Sequence, residues 1–164
     1  MMNGETQVVK SQDGDLLSLV MREKIMAVEV AMKERSDVML GDCFPLVHSF
    51  GKGLYVREIR VPAGALTVTK IHKFAHPAFL LEGEMSIMEE WGARRVSAPA
   101  YFMTKPMTKR VIYHHTDVRL VTVHATEKTD VGEIEEEIIA KIFDDLDGDV
   151  IDIEVQNFVK EVTQ

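Results

Sequence analysis

The sequence predicts a mainly β domain, an antiparallel sandwich or barrel, flanked by an N-terminal and a C-terminal α-helix. Two observations carry this. Between Leu54 and His124 the chain breaks into short β-rich runs separated by turn signals. Before and after that stretch, apolar residues recur at helical spacing. The 164 residues fit one domain with enough chain to bury a core.

The first element is a helix from about Asp15 to Glu34, in which Leu17, Met21, Ile25, Val28 and Met32 form one apolar stripe. Asp13 or Asp15 caps its start, and its methionines are packing residues. A loop containing Cys43, Pro45 and His48 leads to Gly53. The β runs follow: LYVREIRVPAG, LTVTKIHKF, AFLLEGEMSIMEEWGARR, VSAPAYFMTKP, KRVIYHHTD and VRLVTVHAT. Pro62-Ala63-Gly64, Glu82-Gly83-Glu84, Trp91-Gly92-Ala93 and Thr116-Asp117 punctuate them. Many short strands at this spacing indicate a sandwich or barrel. From about Thr129 to Asp145 helical periodicity returns in Val131, Ile134, Ile138 and Ile142, with a Glu-rich outer face near the helix start. The segment Val150 to Val162 reads as a short strand or helix. The expected organisation is therefore a helix and lead-in loop (1–53), a β barrel (54–126), and an acidic helix and tail (127–164).

Net charge is −8, which argues against general nucleic-acid binding. The charge is uneven. From Lys52 to Arg119 there are eleven Lys and Arg against six acids, so a basic centre sits inside an acidic chain, compatible with a small anionic ligand. No apolar run approaches the roughly 20 residues of a membrane span. The polar N-terminal residues lack the apolar centre of a secretory signal. The one cysteine, Cys43, permits no internal disulfide, so a reducing cytoplasm is the expected compartment. Apolar helix stripes that one small barrel would not fully cover lead to an expected homo-oligomer, most simply a homodimer.

The chemistry concentrates between Gly64 and Gly83, where His72 and His76 lie in a strand-like run. Two imidazoles so placed are a compact pair of metal ligands or acid–base groups. Lys70, two residues before His72, would share its strand face.

These runs resemble the cupins, small jelly-roll barrels of the double-stranded β-helix type. The carrying residues are Leu81-Glu82-Gly83-Glu84, which match the turn closing the first cupin motif, and Lys105-Pro106-Met107-Thr108-Lys109, similar to the second motif's turn without its glycine. The resemblance covers about residues 54 to 125. It implies that His72 stands at the first motif's second histidine, His76 at its glutamate and Lys70 at its first histidine. It likewise puts Arg110 at the second motif's histidine and His114 at its asparagine. Lys70, His72, His76 and Arg110 would then point into the barrel. More narrowly, FGKGLYVREIRVPAG, KIHKFAH, KPMTKR and VTVHATEKTD resemble small cupin-type proteins of tailed phages and prophages.

Two functional readings follow. In one, His72 and His76, joined by His124 from the last β run, hold one divalent transition metal (Zn, Fe, Mn or Ni) with positions open for water or substrate. In the other, His72 or His76 acts as general base without metal. Lys70, Arg110 and Arg57, with His114 beside them, would clamp a small carboxylate or phosphate. The alternative to both is a non-enzymatic phage or prophage protein that uses the barrel for assembly or for sequestering a small anionic ligand.

Other residues carry weaker signals. His48 reads as a packing or surface residue that could cover the barrel mouth, and alternation sends either His114 or His115 outward. Glu58 faces inward as a ligand or outward. Cys43 lacks a basic partner in its own loop, and Trp91 and Tyr101 read as packing aromatics. The run from Phe143 to Glu154 imitates a calcium loop but places phenylalanine at the first ligand position, so it reads as an acidic turn.

Overall fold

The computed structural model describes residues 12–141 and 143. Helix α1 (Gln12–Lys33) precedes ten strands: β1 (Leu46–Gly51), β2 (Leu54–Val61), β3 (Leu66–Val68), β4 (Ile71–His72), β5 (His76–Glu82), β6 (Glu84–Glu89), β7 (Gly92–Ser97), β8 (Ala100–Thr104), β9 (Val111–His114) and β10 (Val118–Ala125). Helix α2 (Val131–Ile138) and strand β11 (Ile139–Ala140) follow. All pairings are antiparallel. A five-stranded sheet runs β1-β2-β10-β5-β8, a four-stranded sheet β3-β9-β6-β7, and β11 pairs with β4. The result is an antiparallel barrel of the kind the short runs predict, in the jelly-roll arrangement that the resemblance implies.

One end of the barrel is filled by apolar side chains. Leu80, Val118 and Leu120 come from the five-stranded sheet, and Met85, Ile87 and Ile112 from the four-stranded one. The β5–β6 hairpin depends on Gly83, whose φ is +91° and whose added Cβ would lie 2.1 Å from the Asp117 carbonyl oxygen. Helix α1 lies on the barrel by the face its stripe predicts: Ile25 is buried, and Met21, Val28 and Met32 are partly so. Arg22 and Ser18 both bond Glu90, and Glu29 pairs with Lys109 at 2.7 Å. No helix among the described residues is long and apolar enough to cross a membrane.

The structure departs from the sequence reading in several places. β1 lies within the expected lead-in loop, because LVHSFG pairs along its whole length with β2. α2 ends at Ile138 instead of continuing, since Ile139 turns extended and pairs with His72. β-branched isoleucines suit that switch. Its start is capped by Asp130, which accepts from the Glu133 amide. Trp91 and Tyr101 are not packed inside: Tyr101 is 75% exposed, and Trp91 lies under the Lys105 ammonium at 4.2 Å. Both sit on strand or turn positions facing outward. Glu58 also faces outward and pairs with Arg119. The calcium-loop imitation, apart from Phe143, and the segment Val150 to Val162 fall outside the described residues.

Candidate metal centre

In an antiparallel sheet, residues directly opposite one another project to the same face. Phe50 opposes Tyr55, Tyr55 opposes His124, and His76 opposes Thr104. The pairing Thr122↔Ala78, carried two residues further, sets His124 opposite His76. These residues form one row across the inner face of the five-stranded sheet, beyond the apolar end of the barrel. His72 reaches the row from β4. It therefore does not share a strand with His76, as the sequence suggested, because residues 73–75 bend between β4 and β5.

The three rings converge. Centroids are 4.4 Å apart for His72–His76, 4.4 Å for His76–His124 and 5.5 Å for His72–His124. One ligand nitrogen from each lies within 4.8 Å of the others. Tetrahedral ligands about 2.0–2.1 Å from zinc stand about 3.3 Å apart, so modest imidazole rotation would close the set on an ion. His76 and His124 are 3% and 5% exposed, and His72 is half-buried.

Burial also decides their charge. It is the largest cause pushing His72 down to about 2, followed by His76, His124, Arg110 and Arg57. Burial, then His76 and Arg57, push His124 down to about 4. His76 is lowered by burial and by Arg110, against the raising effect of a hydrogen bond from its Nδ1–H to the Phe74 carbonyl at 3.2 Å. All three are therefore neutral at pH 7, the form that binds metal. The Phe74 contact fixes the proton of His76 on Nδ1 and leaves Nε2 as the free lone pair. A set of neutral nitrogens suits a divalent transition ion better than the hard cations that want oxygen.

The other anticipated residues divide. Arg110 is buried at the site, donating from Nε to Glu89 at 2.7 Å and from Nη1 to Thr104 Oγ1 at 2.9 Å. Arg57 opposes Thr122 on the inner face and donates to Asp42 at 3.0 Å. Lys70 is displaced from the expected inward position. It precedes β4, so strand alternation does not extend to it. Its side chain is 45% exposed and its ammonium meets Glu135 at 2.6 Å. His114 is displaced too. It lies four residues beyond Arg110, at the far end of β9, buried and donating from Nδ1 to the Ala65 carbonyl at 3.1 Å. Outward-leaning His115 contacts Ser86 Oγ at 2.7 Å.

Sequence reasoning passed over Tyr55. Its ring stacks between those of His48 and His124, each 5.9 Å away, and its hydroxyl meets His48 Nδ1 at 2.8 Å. Ile134 and Ile138 of α2 pack against it, covering this end of the barrel. The one available signal was period two: Tyr55 and Arg57 share the inner face of β2.

No protein-family profile and no curated protein matches the chain. Solved structures do match. Ectoine synthase from P. lautus superposes with a TM-score of 0.50 at 14% identity, over 66% of this chain and 81% of that one. The fold is the cupin fold. Two structures described as cupins are similar at lower scores. The cupin domain of Cnp3 from Schizosaccharomyces pombe gives 0.45 at 20% identity, covering 62% of this chain and 75% of that one. An RmlC-like cupin with a double-stranded β-helix fold from Methanocaldococcus jannaschii gives 0.42 at 13%, covering 57% and 92%. Among the positions to which the cupin resemblance assigned site roles, the structure brings His72 and His76 together, adds His124 from β10, and leaves Lys70 and His114 outside.

Proposed function

We propose that this cupin binds one divalent transition metal on His72, His76 and His124 and, with it, a small anionic molecule. The observation that carries the reading is the convergence of three neutral imidazoles with no carboxylate among the ligand-forming groups. When bound, such an ion supplies a Lewis acid that polarises an oxygen held on it. The chain's own residues do the rest. Phe74 orients His76, while Thr104 and Glu89 hold the Arg110 guanidinium still at the edge of the site. Arg110 and Arg57 are each paired with a carboxylate, Glu89 and Asp42, so a divalent ion on three neutral imidazoles would keep a net positive charge that a small anion offsets. Tyr55 and α2 limit the access of water from one side.

The test is elemental analysis of tag-free protein beside a His76→Ala, His124→Ala double variant. Near-stoichiometric transition metal that disappears in the variant supports the reading. Absence of metal from the wild type, even after incubation with zinc, manganese and iron, overturns it. Self-association belongs to the same proposal: Val47, Tyr101 and Met103 leave the outer face of the five-stranded sheet apolar and exposed. A monomer by light scattering at micromolar concentration would count against that part alone.

A further inference from the structure

One buried side-chain atom among the described residues has no hydrogen-bond partner: the hydroxyl oxygen of Thr108. Thr108 is 2% exposed. A hydroxyl so placed forfeits its bonds to water without replacement, and valine would fill the same space without that loss. Its location gives the reason. Thr108 is the antiparallel bridge partner of His72, so the two side chains leave the same face with β-carbons about 5 Å apart.

The surrounding chain is built to hold it there. The Met107 amide donates to the His72 carbonyl at 2.7 Å. Met107 itself adopts a φ of +57°, a left-handed conformation disfavoured for a side chain of this kind. The next two residues are already committed, Lys109 to Glu29 and Arg110 to Glu89 and Thr104. Only the Thr108 hydroxyl is left over.

We infer that Thr108 donates the hydrogen bond that orients the bound anion beside His72, and that the anion is a small monocarboxylate. The inference rests on the metal reading above. One carboxylate oxygen would face the three imidazoles and the other the Thr108 hydroxyl. The count of available donors selects a carboxylate over a phosphate. Arg110 already faces Glu89, and Arg57 already faces Asp42, so the guanidinium groups are largely balanced. The two oxygens of a carboxylate are then matched by the ion and by the one unpartnered hydroxyl, whereas the further oxygens of a phosphate would meet donors that are already engaged.

Cobalt(II)-loaded wild type, Thr108→Val and Thr108→Ser are titrated with acetate and followed by the visible spectrum of the cobalt. Cobalt affinity is unchanged across the three, because Thr108 is not a ligand. Acetate affinity falls about tenfold or more in Thr108→Val and is retained in Thr108→Ser. The ligand-free Thr108→Val protein melts at a higher temperature than wild type, which a hydroxyl with a structural partner would not give. Equal acetate affinity in wild type and Thr108→Val, or no response of the cobalt spectrum to acetate, overturns the inference and leaves the metal reading standing. Failure of the wild type to bind cobalt overturns both.

Discussion

The neutrality of the buried imidazoles has a measurable cost in acid. Consider His124 in metal-free protein. Its folded pKa lies at about 4 against an ordinary 6.5, with burial the first cause. Between those values the unfolded chain holds a proton at this site that the folded chain refuses. Stability therefore rises with pH across the window, is fully present above about 6.5, and is lost as pH falls toward 4. A difference of about 2.5 units at 1.36 kcal/mol each gives about 3 kcal/mol lost from this one residue. Urea melts of metal-free wild type and His124→Asn at pH 7, 6, 5 and 4 measure it. Carboxylates titrating in the same range contribute to both proteins and cancel in the difference of slopes. The absolute stability of the variant does not matter to the comparison. Wild type should lose about 3 kcal/mol more than His124→Asn over the range. Parallel curves would refute the claim that the folded barrel keeps this ring neutral.

Three other outcomes follow from the packing. Gly83→Ala meets both a positive φ and a backbone oxygen 2.1 Å away, whereas Gly64→Ala meets only a positive φ with nothing within 4 Å; chemical denaturation should show a loss of about 1 kcal/mol at Gly64 and at least about 3 kcal/mol at Gly83. Arg110→Met strips Glu89 of its buried partner, and the same assay should record a loss of about 3 kcal/mol. Lys70→Ala removes an exposed ion pair, so stability should change by less than about 1 kcal/mol and isothermal titration should find metal affinity unaltered.

The barrel was legible because turn residues and β-branched runs act locally. Glu82-Gly83-Glu84 announces its hairpin through a glycine that nothing else can replace, and Ile25 and Ile134 mark helix faces by spacing alone. The site was half legible. His72 and His76 stand four residues apart, so any compact path brings them near each other. His124 was reachable only through the resemblance and the register of the last β run. Tyr55 and Thr108 were not visible, since their roles depend on which strands are neighbours. The order β1-β2-β10-β5-β8 is not the chain order, and no periodicity within one segment reports it. Lys70 misled for the opposite reason: alternation was extended past the end of a strand only two residues long.

The pairing of β5 with β10 has a consequence for how the chain finds its place. On β10, Val118 and Leu120 face inward while Val121 and Val123 face outward. On β5, Leu80 faces inward while Phe79 and Leu81 face outward. Both faces of both strands are therefore greasy, and hydrophobicity alone discriminates weakly between the native alignment and a slip of one residue. His124 is the residue that such a slip would punish, because it would leave the ring among outward-facing valines and break the trio. An ion that needs all three imidazoles would bind only chains zipped in the correct alignment, and so would act as a proofreader of strand register.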